Sequence, residues 1–205
     1  MTPEIITGGL TFAAAVVLLI ITPGPGVLST AGVGSAFGFR AGLRYVAGLF
    51  IGTNLVTFAV ISGLAAIVLS LPWLRYVLMA ASTGYLLFLA SKIAFAGARI
   101  AFIETQNAPG LRAGVFLQMV NPKAYAVNSA LITGFPFWAG NLAGETALKL
   151  LIMNAIWIPI HLGWLWAGVA LRRLNLAPRT QRRINIVMAC ALLGVVALSV
   201  WSALA

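Results

Sequence analysis

The charged residues of this chain leave long uncharged stretches between them: Ile5–Phe39, Tyr45–Leu74, Tyr76–Ser91, Ala124–Gly144, Leu150–Leu171 and Ile184–Ala205. A helix that crosses the hydrocarbon core of a bilayer needs roughly 20 apolar residues, with a range of about 17–25. The third stretch is short, but Arg75 and Lys92 at its ends can reach outward on their aliphatic stems and lengthen it. The pattern predicts an all-α, polytopic membrane fold of six transmembrane helices.

Proline interrupts two of these segments. The first carries Thr22-Pro23-Gly24-Pro25-Gly26, and Asn121-Pro122-Lys123 breaks the fourth. Proline has no N–H, so the carbonyls of Leu19, Ile21 and Gln118 lose their helical donors. Lipid cannot satisfy such groups; protein, water or a substrate must. The two breaks hold matching places in the halves 1–103 and 104–205, each half carrying three helices with the break in its first. Three is odd, so a shared fold would turn the second half upside down. The chain then reads as one membrane domain, 1–205, of two three-helix inverted-topology repeats with broken helices 1 and 4.

Paired breaks in corresponding positions point to a transporter's binding site. A short helix starting near Gly26 would turn its unpaired N–H groups, the positive end of a dipole, toward the gap. The gap then offers carbonyls to a cation and amides to an anion, and a zwitterionic amino acid carries both charges. The candidate substrate-binding residues are Pro23, Gly24, Pro25, Gly26, Asn54, Gln118, Asn121, Pro122 and Lys123. A simple kink is the other reading of the first break, since membrane helices tolerate proline. Lys123 also has two readings. If its helix starts near Ala113, it lies about 15 Å along at a 1.5 Å rise per residue, close to mid-membrane, where a charge costs about 2.5–3.5 kcal/mol. If Ala124–Gly144 spans alone, Lys123 stands at the inner surface.

Composition fixes the class: 61% of residues are hydrophobic and 8% charged, against about a quarter charged in soluble domains. Met1-Thr2-Pro3-Glu4 lacks the basic start of a signal peptide, and the apolar run after it is too long for one. The single cysteine, Cys190, excludes a disulfide framework and a Cys-based metal site; it reads as a small core residue.

The net charge of +10 is concentrated in the first, third and fifth loops: Arg40 and Arg44; Lys92, Arg99 and Arg112; Arg172, Arg173, Arg179, Arg182 and Arg183. The positive-inside rule puts these loops in the cytoplasm and both termini outside, with Trp73, Trp138 and Trp201 as anchors at outer helix ends. The Arg172–Arg183 cluster suits anionic lipid headgroups, not nucleic acid.

Candidate proton carriers are few. There is no aspartate, and Glu4, Glu104 and Glu145 fall at helix ends or in loops, so no carboxylate relay crosses the membrane. His161 is the proton-coupling candidate. The alternative, which is favoured, is a neutral imidazole bonded to the Ala155 carbonyl that Pro159 frees. Of Asn54, Asn128, Asn154 and Asn185, most are expected to bond across helices and one or two to face substrate. Gly34, Gly38 and Gly42, and Gly48 and Gly52, allow close helix approach, either within one chain or across a homodimer. One histidine, one cysteine and no aspartate rule out the usual metal sites. A Ser–His pair would lack its orienting acid. No enzyme, cofactor or metal site is expected.

Several segments together resemble the LysE/RhtB amino-acid exporters. They are Ile21-Thr22-Pro23-Gly24-Pro25, Gly38-Phe39-Arg40-Ala41-Gly42 with Ala47-Gly48 and Gly52, Gly84-Tyr85-Leu86-Leu87 ending in Lys92, Phe116 to Ala124, and Arg182 to Val187. The resemblance covers almost the whole chain. It implies export of small amino acids or related metabolites from the bacterial cytoplasm across the inner membrane, driven by the proton gradient. Gln118–Lys123 and Arg183–Val187 are most similar to the cysteine and O-acetylserine efflux branch. Asn54 stands where several members carry an aspartate, and asparagine cannot carry a proton there. The expectation is a secondary active exporter working by alternating access, without nucleic-acid partners. A passive pore or a non-transporting membrane partner is the alternative. A divalent-cation exporter is disfavoured because the spans lack the ligands.

Overall fold

The structure, a computed structural model, describes residues 2–22, 24–64, 66, 70–95, 108–174 and 177–204. Pro23, Arg99, Glu104 and the junction of the two halves at 103–104 lie outside the described residues. The helices are α1 Pro3–Ile21, α2 Pro25–Phe37, α3 Phe39–Ile61, α4 Pro72–Ala94, α5 Leu111–Val120, α6 Pro122–Gly134, α7 Leu142–Arg173 and α8 Pro178–Leu204. Pro3–Ile21, Phe39–Ile61, Tyr76–Ala94 and Leu142–Arg173 are each long and apolar enough to cross a membrane. Leu10, Leu18, Leu151 and Trp166 are exposed on the outer faces of such helices, as contact with lipid requires.

Both breaks are helix starts. Pro25 opens α2 and Pro122 opens α6, the one helical position where the missing N–H costs no hydrogen bond. The first break is therefore more than a kink: α1 ends at Ile21, and Gly24 precedes α2 in extended backbone. At the second, the Asn121 side chain caps α6 by accepting from the Lys123 amide at 3.1 Å. The 13-residue α6 is about 20 Å long, short of the roughly 30 Å hydrocarbon core. It stops at Gly134, so Ala124–Gly144 is not one span; α5 and α6 divide the fourth segment. The second segment is also shifted. Gly38, at φ 84, ends α2 in the left-handed region, and α3 starts at Phe39 with Arg40 and Arg44 exposed on its first turns.

The glycine spacing is used up inside the chain. A Cβ on Gly48 would run into the Leu111 carbonyl, and one on Gly114 into the Tyr45 carbonyl, so α3 and α5 touch backbone to backbone. In the same way Gly34 and Gly168 seat α2 against α7, and Gly42 takes the Leu165 side chain. Gly52 lies against Val115 and Gln118. With these faces occupied, the glycine ridges supply no argument for a homodimer. Arg172 donates to the Ala36 carbonyl at 3.2 Å, near the start of α3 that carries Arg40 and Arg44.

The expected cross-helix amide bonds are present. Asn54 and Asn154 exchange two hydrogen bonds of 3.1 Å between α3 and α7. Thr57 donates to Asn128 at 2.6 Å, and Ser35 to Asn185 at 3.2 Å. One expectation needs correction. Cys190 is exposed on α8, not in a core. Glu145 is in the first turn of α7, as a helix-end residue should be, yet it is buried and pairs with buried Lys149 at 2.7 Å. Phe137 and Trp138 N–H groups donate to the same carboxylate at 2.9 and 2.7 Å.

Candidate functional site

The two helix breaks meet. The carbonyl of Thr22 would accept from Gly26 in an unbroken helix; here the break leaves it to the Lys123 ammonium, which donates to it at 2.9 Å. Lys123 is 12 residues from the start of α5 and 11 from the end of α6, or about 18 and 17 Å along the pair. It is thus central in the two-piece segment.

A cavity of about 80 Å³ lies at this junction. Gly24, Pro25 and Gly26 of the first break line it, as do Gln118, Asn121 and Lys123 of the second. Asn54 reaches it from α3 and His161 from α7. Of the residues singled out from sequence, Pro122 starts α6 without lining the cavity, and Pro23 lies outside the described residues. Asn128 and Asn154, two of the asparagines of which one or two were expected to face substrate, also line it, and the sequence reading missed Thr22, Thr53, Thr57 and Trp157 as lining residues. Asn154 had a signal: it follows Asn54 by 100 positions, close to the separation of the two breaks.

Polar groups at the second break are mostly paired. The Gln118 carbonyl, freed by Pro122, is taken by the Asn121 N–H at 3.3 Å, so it is not left for a ligand. Asn121 Nδ2 donates to Gln118 Oε1 at 3.1 Å, and Tyr125 Oη donates to the Met119 carbonyl at 2.9 Å. At the first break, the amides of Gly26 and Val27 are first-turn donors with no helical acceptor.

His161 is buried, and its ring stacks on Trp157 with centroids 3.6 Å apart. Its Nδ1 is 3.0 Å from the Trp157 carbonyl, which replaces the expected partner, Ala155. A carbonyl can only accept, so Nδ1 carries a proton, and in the neutral imidazole Nε2 keeps a lone pair. That Nε2 faces Gly26, 3.5 Å from where a Cβ would stand.

The cavity lining is mixed: the Lys123 ammonium and several amides and hydroxyls share it with the aliphatic side chains of Leu19, Val127, Leu131, Leu150 and Met153, and no carboxylate lines it among the described residues. Among the described residues no group of His, Cys, Asp and Glu is placed to hold a metal ion.

Residues 17–203 match the LysE type translocator family. The chain is 31% identical over 121 residues to a leucine efflux protein of Klebsiella pneumoniae subsp. pneumoniae, across 56% of this chain and 57% of that protein's length. No solved structure matches the chain. The chain belongs to the LysE type translocator family.

Proposed function

We propose that the chain exports amino acids with small aliphatic side chains across the bacterial inner membrane, as a secondary active transporter working by alternating access. The observation that carries this reading is the Lys123–Thr22 bond, which joins both helix breaks within one cavity. Lys123 and the first amides of α2 suit a carboxylate. The Thr22 carbonyl and the His161 lone pair suit an ammonium group. The aliphatic lining residues receive the side chain. A volume of about 80 Å³ is well below the roughly 300–1,000 Å³ of drug-sized sites, which favours a small substrate. The aliphatic lining, and the leucine efflux activity named for the Klebsiella relative, favour leucine-like substrates over cysteine or O-acetylserine.

In this reading α1–α2 and α5–α6 are broken spans that complete six, arranged as two inverted three-helix repeats. The Asn54–Asn154 pair supports it: each asparagine lies on the second span of its half. The basic loops are cytoplasmic and the termini are external. Export is coupled to the proton gradient, with His161 as the titratable imidazole in the cavity. The test is leucine uptake into inverted vesicles with and without an imposed pH gradient. Saturable, gradient-dependent uptake is expected. Linear flux insensitive to the gradient would make the chain a pore, and no flux would make it a partner subunit.

A further inference from the structure

The chain holds two lysines away from its basic loops, and they differ in one respect. Lys149 is neutralised: Glu145 lies 2.7 Å from it and the Ile132 carbonyl accepts from it at 2.9 Å. Lys123 has the Thr22 carbonyl at 2.9 Å and no carboxylate among the cavity residues. Lys123 is half-buried, and a cation partly withdrawn from water and held only by a neutral acceptor is short of an anion.

Resting on the amino-acid export reading, we propose that Lys123 is a built-in stand-in for the substrate's ammonium group. It occupies the Thr22 carbonyl while the site is empty. The substrate ammonium displaces it, and the freed lysine pairs with the substrate carboxylate. Three observations converge. Thr22 offers a main-chain acceptor that only a helix break exposes. Gly24 has φ −155° and ψ 179°, backbone that any residue adopts, so its bareness is not needed for the turn. A Cβ there would instead lie 2.9 Å from both Cδ and Nζ of Lys123; the glycine makes room for the lysine. Finally, among the described residues the cavity carries one formal cation and no anion, so a bound zwitterion brings the missing charge while replacing the bond it breaks.

The exchange explains how the empty carrier keeps its polar groups satisfied once substrate leaves. It also sets specificity. An amine without a carboxylate would evict Lys123 and leave it unpaired. A carboxylate without an amine would draw Lys123 away and leave Thr22 bare. Sites reject ligands that leave buried groups unpaired far more strongly than ligands that merely fit less well.

The experiment is calorimetric titration of the full chain in lipid nanodiscs with leucine, leucinamide and 4-methylpentanoate, at about pH 6, where both amines are charged. The unmodified chain should bind leucine at least about ten-fold more tightly than either analogue, the scale of one hydrogen bond to a charged group. Lys123→Met should weaken leucine by about ten- to a hundred-fold and bind leucinamide at least as well as leucine. An unmodified chain that binds leucinamide as tightly as leucine overturns the proposal, and needs no variant to fold. So does a folded Lys123→Met protein that keeps the wild-type preference. Failure of leucine and other aliphatic amino acids to bind at all would instead remove the export reading, and this inference with it.

Discussion

Removing the Glu145 carboxylate should cost more than removing its lysine partner. Both side chains are buried, at 6% and 2% exposure. The carboxylate has three donors: Lys149 and the N–H groups of Phe137 and Trp138. Take Lys149→Met first. Glu145 keeps its two backbone donors, so the variant loses one charge-assisted bond, about 1.5–3 kcal/mol, partly offset by an apolar side chain beside Phe12 and Phe137, over whose rings the ammonium now lies. In Glu145→Ala, two main-chain donors lose their acceptor, and Lys149 keeps only the Ile132 carbonyl and the two rings. Stranding a buried charge costs about 3–5 kcal/mol. The lower end applies here, because the pair sits under the α6–α7 turn and not deep in the bundle. The double variant should be more stable than Glu145→Ala alone, since it strands no charge. Thermal or SDS unfolding of the four proteins in detergent gives the cycle. Equal single-variant costs that simply add would mean that the pair is not coupled, and the argument would fail.

Gly114→Val should destabilise by about 1–3 kcal/mol or more, because the added Cβ meets backbone of α3 that cannot yield. Gly163→Ala, where nothing lies within 4 Å, should be neutral or stabilising by up to about 1 kcal/mol, and the same melting assay compares them. Asn54→Leu and Asn154→Leu should each strand the other's amide. Their double-variant cycle should give a coupling of about 0.6 kcal/mol, up to about 1.7; zero coupling would mean that the reciprocal bonds do not form. Lys123→Ala should abolish leucine efflux from cells while leaving the melting temperature nearly unchanged, and normal export by that variant would remove Lys123 from the mechanism.

The chain announced its class and its break points without help from tertiary structure, because both are local properties. Hydropathy averaged over a helix length decides whether a segment is apolar enough for lipid. A proline removes its own N–H whatever surrounds it, so helix starts at Pro25 and Pro122 follow from the sequence. Which groups those breaks would face was not local. Lys123 reaches Thr22 across 101 positions and Asn54 meets Asn154 across 100, and both depend on glycine contacts that bring α3 to α5 and α2 to α7. The same limit explains the misplaced residues. Glu145 sits at a helix end by sequence, but the Phe135–Trp138 turn folds over it and buries it. The freed Gln118 carbonyl found a donor in Asn121, three residues on. Proline decides which backbone groups lose their partners; only the packing of helices decides which are re-paired and which are left for a ligand.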